Sequence, residues 1–443
     1  MAENQMNREI KVPKRILDAL LLSLAAGVVP RSGAPYIAIG RNEEIASLVD
    51  NLDTVESGGA TIRFLIGRYG SGKSFLMQLI RGNALDRGFL TADADLSPER
   101  KLCGGNGVAT YRELIRNMAS KACPESGAIT MVLSRFYLQM KQELVAEGIL
   151  PDDIGFVTAL KKKIYASLSL LQNHVGGFDF CAVLSAYYDA YMTENEEKKS
   201  AALRWLRGEY VTKTEARRAL LMDISTIIGD DNWYDYIKLW AEFSHIAGYT
   251  GFIVFIDECV NLYKIANRIS REANYEKLLS IFNDTMQGRA AHLGIIFSGT
   301  PQFLEDTRRG LFSYEALKSR LADSRYQEMG YRNLSAPVIR LRALSDNELY
   351  ALLTRLNKLW QQKHPASPVP TTEQVQVFLS HALARAGAQE LMTPREMIRN
   401  YLSLLAVMRD NENVVFEHLV GEMGDFSSEE DDDDGDLPDF KLF

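Results

Sequence analysis

Residues 67–74 read Gly67-Arg68-Tyr69-Gly70-Ser71-Gly72-Lys73-Ser74 and follow directly on the apolar run 62–66. The octapeptide fits G-x-x-x-x-G-K-[ST]. Its glycines let the backbone curl until successive N–H groups face inward, and the helix opening near Lys73 presents its positive end to the same point. Such a loop suits a chain of phosphates. Lys73 then reaches the β- and γ-phosphates, and Ser74 offers its hydroxyl to Mg²⁺. The strand before the loop and the apolar run Phe75 to Ile80 after it supply the context the motif needs. We therefore expect a nucleotide triphosphatase, with Phe75 closing the set of loop residues around the nucleotide.

A second site lies far along the chain. Residues 251–256 form an unbroken β-prone stretch that ends in Asp257-Glu258. Apolar residues at consecutive positions suit a parallel strand buried on both faces, and ligands gather at the carboxyl ends of such strands. The pair reads as a Walker B element: Asp257 holds Mg²⁺ through water, and Glu258 polarises the attacking water. The plainer alternative is that both acids begin a solvated helix. A third apolar stretch, 293–297, ends in Ser298-Gly299-Thr300-Pro301, whose polar end is expected between the other two. In triphosphatases with an additional strand, a sensor residue at this place touches the γ-phosphate or the lytic water. Ser298 is the first choice and Thr300 the second, although Ser-Gly-Thr-Pro also serves as an ordinary turn.

Length and composition set the bounds. The chain has 443 residues with 46% hydrophobic content, enough for two or three domains around a large core. No window approaches eighteen uninterrupted apolar residues, so no membrane span is expected. Residues 14–26 superficially resemble a signal peptide, but Asp18 interrupts the apolar core and a basic amphipathic helix ending at Gly27 fits better. The four cysteines are scattered without a Cys-x-x-Cys pair, which fits a reducing cytoplasm and argues against zinc, and the six histidines show no ligand spacing either. Net charge is −8, yet residues 425–443 hold nine acids and one lysine. The remainder balances at 49 acids against 49 bases, so overall acidity does not exclude nucleic-acid binding by the folded part.

We expect an N-terminal arm and helix over 1–36, a P-loop core over 37–334, a helical lid over 335–424 and an acidic tail over 425–443. Residues 89–95 read as another strand ending in Asp93-Ala94-Asp95. About 180 residues separate Ser74 from the Walker B strand, far more than one strand-helix-strand unit requires, so an insertion is expected at about 125–248. Spaced apolar residues predict helices there at 129–148, 153–172, 181–194, 199–207 and 233–246. Its basic clusters, Lys161 to Lys163 and Arg217-Arg218, suit either a nucleic-acid backbone or the solvated face of a helix. The lid is expected to carry helices at 346–358, 372–386 and 394–410. The tail cannot bury apolar surface over 427–436 but ends in Leu437-Pro438-Asp439-Phe440-Lys441-Leu442-Phe443, a pattern that suits a docking peptide or a solubilising extension.

Two later segments resemble the remaining parts of an AAA+ site. Residues 314–321 contain Ser319-Arg320-Leu321, and 393–399 contain Thr393-Pro394-Arg395 at a helix start. The resemblance implies that Arg320 reaches the γ-phosphate of a neighbouring subunit and that Arg395 senses the same phosphate in cis. Ahead of the first strand, Gly40, Arg41 and Glu44 match a Gly-Arg-x-x-Glu segment that in AAA+ proteins packs by the adenine.

Taken together, 64–74, 92–100, Tyr111-Arg112-Glu113-Leu114, 255–258 and 297–301 resemble the BREX-type phage-resistance ATP-binding proteins (BrxD-like), distant relatives of the origin-recognition and Cdc6 ATPases. The resemblance covers nearly the whole chain apart from the acidic tail, which departs from the family pattern and puts the partner in doubt. It implies an α/β AAA+ P-loop NTPase core with a parallel sheet, a large helical insertion and a C-terminal helical lid. It further implies ATP with Mg²⁺, hydrolysis in a self-associated oligomer, and action on or near DNA beside other antiviral components, often a helicase. A nucleotide-gated loader or scaffold that recruits its partner through the tail is the alternative. The resemblance assigns no role to Asp93 or Asp95, which chemically suit either a neighbour of Mg²⁺ or a plain strand end.

Overall fold

A computed structural model of the chain describes residues 11–384, 393–411 and 414–422. The first ten residues and the acidic tail with its apolar tip lie outside the described residues. Five strands, β1 (Ala60–Ile66), β2 (Leu90–Asp95), β3 (Phe252–Asp257), β4 (Leu293–Gly299) and β5 (Val338–Arg340), form one parallel sheet in the order β2-β3-β4-β1-β5. The expected α/β class with a parallel sheet is what the chain adopts.

The strands form here because their side chains are apolar on both faces, as a sheet covered by helices on each side requires. All seven positions of β4 are buried. Phe64 of β1 pairs in register with Phe297 of β4, and their rings stack with centroids 5.3 Å apart. β5 adds three residues beside β1, too few to show a periodicity in sequence. Its parallel pairing is set by backbone hydrogen bonds such as Leu341 N–H to Ile66 O at 2.8 Å.

The long connection from β2 to β3 is helical throughout its regular parts. Helices Ile129–Ala146, Phe156–Ser169, Gly177–Met192, Glu196–Leu206 and Trp233–Ile246 follow the expected periodicities with small shifts at their ends. Gly107–Arg116 and Lys213–Leu220 add two shorter helices. Aromatic packing joins this insertion to the sheet's own core: Trp205, Trp233 and Trp240 are buried, and Phe180 meets Trp240 edge-on at 5.4 Å. Burying side chains of this size stabilises by roughly 2–3 kcal/mol each. The buried Tyr111 hydroxyl donates to Leu206 O at 2.7 Å and accepts from Trp240 Nε1 at 2.9 Å. Burial pushes that phenol far above its ordinary range, so it stays a neutral hydrogen-bonding group.

The described residues fall into two compact units, one comprising 41–343 and the other those described within 1–40 and 344–443. In the second unit the helix Lys14–Ala25 buries Leu17, Leu20, Leu21 and Leu24 and packs against the helices Asp346–Lys363 and Pro394–Asp410. The apolar run near the N-terminus is thus the inner face of an amphipathic helix. Asp18, which breaks the run, faces out and pairs with Lys363 at 3.2 Å. Val12 and Gln362 exchange two hydrogen bonds, N–H to Oε1 at 3.2 Å and Nε2 to O at 2.6 Å, which tie the start of the helix down.

Candidate nucleotide site

The loop 67–72 leaves β1 at its carboxyl end and runs into the helix Lys73–Asp86. Its first turn is anchored to the neighbouring strand by Gly67 N–H, which donates to Gly299 O at 3.1 Å. A Cβ at position 67 would lie 2.5 Å from Ser71 Oγ and 3.3 Å from Leu341 Cβ, so a side chain there would force the Ser71 hydroxyl to move. Gly72 caps the helix with φ +93°, a conformation that side-chain-bearing residues rarely adopt. The first N–H groups of the helix have no acceptor within it and face the same loop.

Lys73 is buried, and its ammonium donates to Gly67 O at 2.9 Å and Arg68 O at 3.0 Å. The ring of Tyr69 lies 5.5 Å from Lys73 Nζ. Burial, then the carboxylates of Glu258 and Asp257, push the phenol of this half-exposed ring upward. Phe75 is half-buried in the first turn of the helix.

Folding brings the second site to the first. Ser74 Oγ donates to Asp257 Oδ2 at 2.6 Å, and Asp257 Oδ1 accepts from the Glu258 backbone N–H at 2.8 Å. Glu258 has φ +55°, a left-handed conformation that costs on the order of 1–3 kcal/mol in a residue with a Cβ and concentrates at functional sites. Cys259 N–H donates to Ser298 O at 3.0 Å, which joins the end of β3 to the end of β4. Ser298 Oγ is buried without a hydrogen-bond partner among the described residues. Thr300 differs: its hydroxyl accepts from Phe303 N–H at 3.4 Å and caps a short helix. Thr300 Oγ1 thus already accepts a hydrogen bond, whereas Ser298 Oγ makes none among the described residues.

On the other side of β3, Asp95 ends β2 in register with Asp257. Desolvation against the packed strand ends, then the charges of Asp257 and Asp93, push its carboxyl above the ordinary range even though the residue keeps an exposed edge. Asp95, Asp257 and Glu258 thus stand at the ends of two adjacent strands. The sequence hint was an acid at the end of an apolar run; the register that makes Asp95 the neighbour of Asp257 was not visible there.

Arg41 lies in this unit and has φ +124°. Its Nη2 donates to Ser71 O at 3.1 Å and to Arg342 O at 2.7 Å. Nη1 lies 3.7 Å from Glu44, a buried carboxylate that also accepts from Arg332 Nη2 at 2.7 Å. Arg332 had no motif to single it out. Gly40 belongs to the other unit, where its close neighbours are Glu348 and Leu344. Arg320 is exposed on the helix Glu315–Leu321, with Nε donating to Asn283 Oδ1 at 3.1 Å and Nη1 to Ala316 O at 2.7 Å. Arg395 is exposed one residue after Pro394 in the helix Pro394–Asp410, and its stem passes Gly27 within the second unit.

A parallel sheet with a Gly-Lys-Ser loop leaving β1, and an acid pair leaving β3 two strands away, defines a nucleotide-binding core of the P-loop class. The chain belongs to the family of the BREX system ATP-binding protein BrxC/D, whose sequence profile matches residues 12–423. An ATP-binding role in BREX defence follows from that membership. No curated protein matches the chain. Among the described residues, no helix is long and apolar enough to cross a membrane.

Proposed function

We propose that this chain hydrolyses ATP at the end of the sheet, as an AAA+ oligomer, and engages DNA in BREX defence. The observation that carries the reading is the meeting of Ser74 with Asp257 at 2.6 Å, with Glu258 next in the chain. A hydroxyl and a carboxylate are hard oxygen donors and fit Mg²⁺, whose remaining positions phosphates and water fill. Ser74 and, through water, Asp257 would hold the ion, which when bound offsets the charge of the phosphates. The loop N–H groups and Lys73 bind and orient the β- and γ-phosphates. Glu258 accepts a proton from the attacking water while that water attacks the γ-phosphorus and the bond to the β-γ bridging oxygen breaks, leaving ADP and phosphate. Ser298 Oγ supplies a hydrogen bond to the γ-phosphate or to that water.

Arg320 acts across a subunit boundary, Arg395 senses the γ-phosphate in cis, and Gly40 stands by the adenine; these three assignments rest on the AAA+ resemblance. DNA and a helicase of the same defence array are the proposed partners. The end of the chain, Leu437 to Phe443, suits a docking peptide and supports a second reading, a nucleotide-gated scaffold for which hydrolysis is only a reset.

ATP turnover measured across a series of protein concentrations, with and without single- and double-stranded DNA, separates these readings, with Lys73→Ala as the blank. A rate per subunit that rises with concentration and with DNA supports the oligomeric DNA-engaged ATPase. A slow rate that neither changes supports the scaffold. Turnover equal to that of Lys73→Ala would overturn hydrolysis at this site.

A further inference from the structure

Glu44, 2% exposed, sits between the guanidinium groups of Arg41 and Arg332. From there Arg41 extends Nη2 to two backbone carbonyls that are far apart in sequence, Ser71 O in the phosphate loop and Arg342 O just beyond β5. The backbone is bent into a rarely used conformation at this residue, φ +124°, and such bends persist where the surroundings fix a side chain in one place. The chemistry of a peptide group shows what the contact does. Ser71 C=O and Gly72 N–H belong to one planar trans unit and point in opposite directions. Holding the carbonyl from outside the loop therefore turns the Gly72 N–H away from Arg41.

We propose that Arg41 is a positioning residue for the polyphosphate of the nucleotide. It fixes the direction of the Gly72 N–H and ties the phosphate loop to the segment that follows β5, and it acts through the loop backbone rather than on the adenine. The inference rests on the nucleotide reading of the loop. It assigns Glu44 and Arg332 to the same device: Arg332 fixes the Glu44 carboxylate by a hydrogen bond, and the charge of that carboxylate holds the Arg41 guanidinium where a lone arginine would swing into solvent. A guanidinium is needed because one planar fork reaches two carbonyls while a second nitrogen stays near a carboxylate; an ammonium has neither that plane nor that reach.

The test is the affinity of the full chain for ATP, GTP and inorganic tripolyphosphate, each with Mg²⁺, measured by displacement of a fluorescent ATP analogue. Arg41→Gly removes the guanidinium and also relieves the φ +124° backbone. It is expected to weaken ATP and tripolyphosphate by the same factor, about tenfold, as loss of hydrogen bonds to a charged group predicts. The ratio of ATP to GTP affinity stays as in the parent. Arg41→Lys falls between the two, and Glu44→Gln shifts both ligands in the same direction by less.

Weaker ATP binding with unchanged tripolyphosphate binding would show an adenine contact and overturn the proposal. Unchanged affinities for both would do the same. Nucleotide-free melting of each variant separates this effect from unfolding, and if Arg41→Gly fails to fold, the Lys and Gln variants carry the comparison. Lys73→Ala isolates the underlying reading. If that variant binds ATP like the parent, the loop is not the nucleotide site; if it loses binding while Arg41→Gly keeps it, only the role of Arg41 is wrong.

Discussion

Ser74 Oγ and Asp257 Oδ2 lie 2.6 Å apart although 183 residues separate them in the chain. The sheet order makes the meeting possible: β4 stands between β1 and β3, so the loop after β1 and the acid ending β3 face one another across the end of a single strand. The intervening insertion can be large because its aromatic residues share one core with the sheet, and the helix Trp233–Ile246 returns the chain to β3.

If Asp257 positions Mg²⁺ through water, Asp257→Asn should raise the Mg²⁺ concentration that half-saturates ATP turnover by about 10- to 100-fold, the usual effect of losing an outer partner of a metal. A Mg²⁺ titration of turnover reads this directly. An unchanged midpoint would place the ion elsewhere.

Glu258→Gln removes the proton acceptor while keeping the side chain's size. We expect kcat to fall on the order of 10²- to 10⁴-fold with ATP affinity retained. Parallel loss of binding would mean that the residue holds the nucleotide or the fold instead.

His245 and His292 stack with ring centroids 3.7 Å apart and planes 11° from parallel. Burial, then the neighbouring imidazole, lowers the pKa of His292 below its ordinary value of 6.5. The folded chain therefore binds fewer protons here than the unfolded chain, and stability present above pH 6.5 is lost as pH falls from there through the lower pKa of the folded state. Urea midpoints measured between pH 8 and 5.5 should decline, and His292→Phe should flatten part of the decline. An identical slope in the variant would remove this pair as its source.

Thr393 caps the helix Pro394–Asp410: its hydroxyl accepts from Glu396 N–H at 3.3 Å, while Glu396 Oε2 accepts from Thr393 N–H at 2.9 Å. Thr393→Ala should cost about 1 kcal/mol, the ordinary value of such a cap. Denaturant unfolding of the full chain measures it, and Thr393→Ser should recover most of the loss.

Much of this organisation is readable along the chain because its signals are local. A glycine-rich octapeptide between two apolar runs marks a phosphate-binding turn at 67–74, and the unbroken apolar character of 252–256 and 293–297 marks them as buried parallel strands. Helical periodicity locates the insertion helices for the same reason. β5 was out of reach: with only three residues its identity depends on pairing with β1, and nothing within Val338–Arg340 announces that partner. The choice between Ser298 and Thr300 was likewise open, since both are short hydroxyl side chains at one strand end. Local geometry distinguishes their surroundings: Thr300 caps a helix, and Ser298 Oγ has no hydrogen-bond partner among the described residues.

Sequence alone thus determined the kinds of groups available: a phosphate-binding loop, two acids after a strand, hydroxyls after another, and apolar runs that had to be buried. Only the tertiary structure decided which of them meet. Asp95 stands beside Asp257 because β2 pairs with β3 in that register, and Arg41 reaches Ser71 and Arg342 because a buried Glu44 and a left-handed backbone aim it there. Chemistry belongs to individual residues and is carried by short motifs. Proximity across tens or hundreds of residues is a property of strand order and side-chain packing, and it arises only once the whole core has formed.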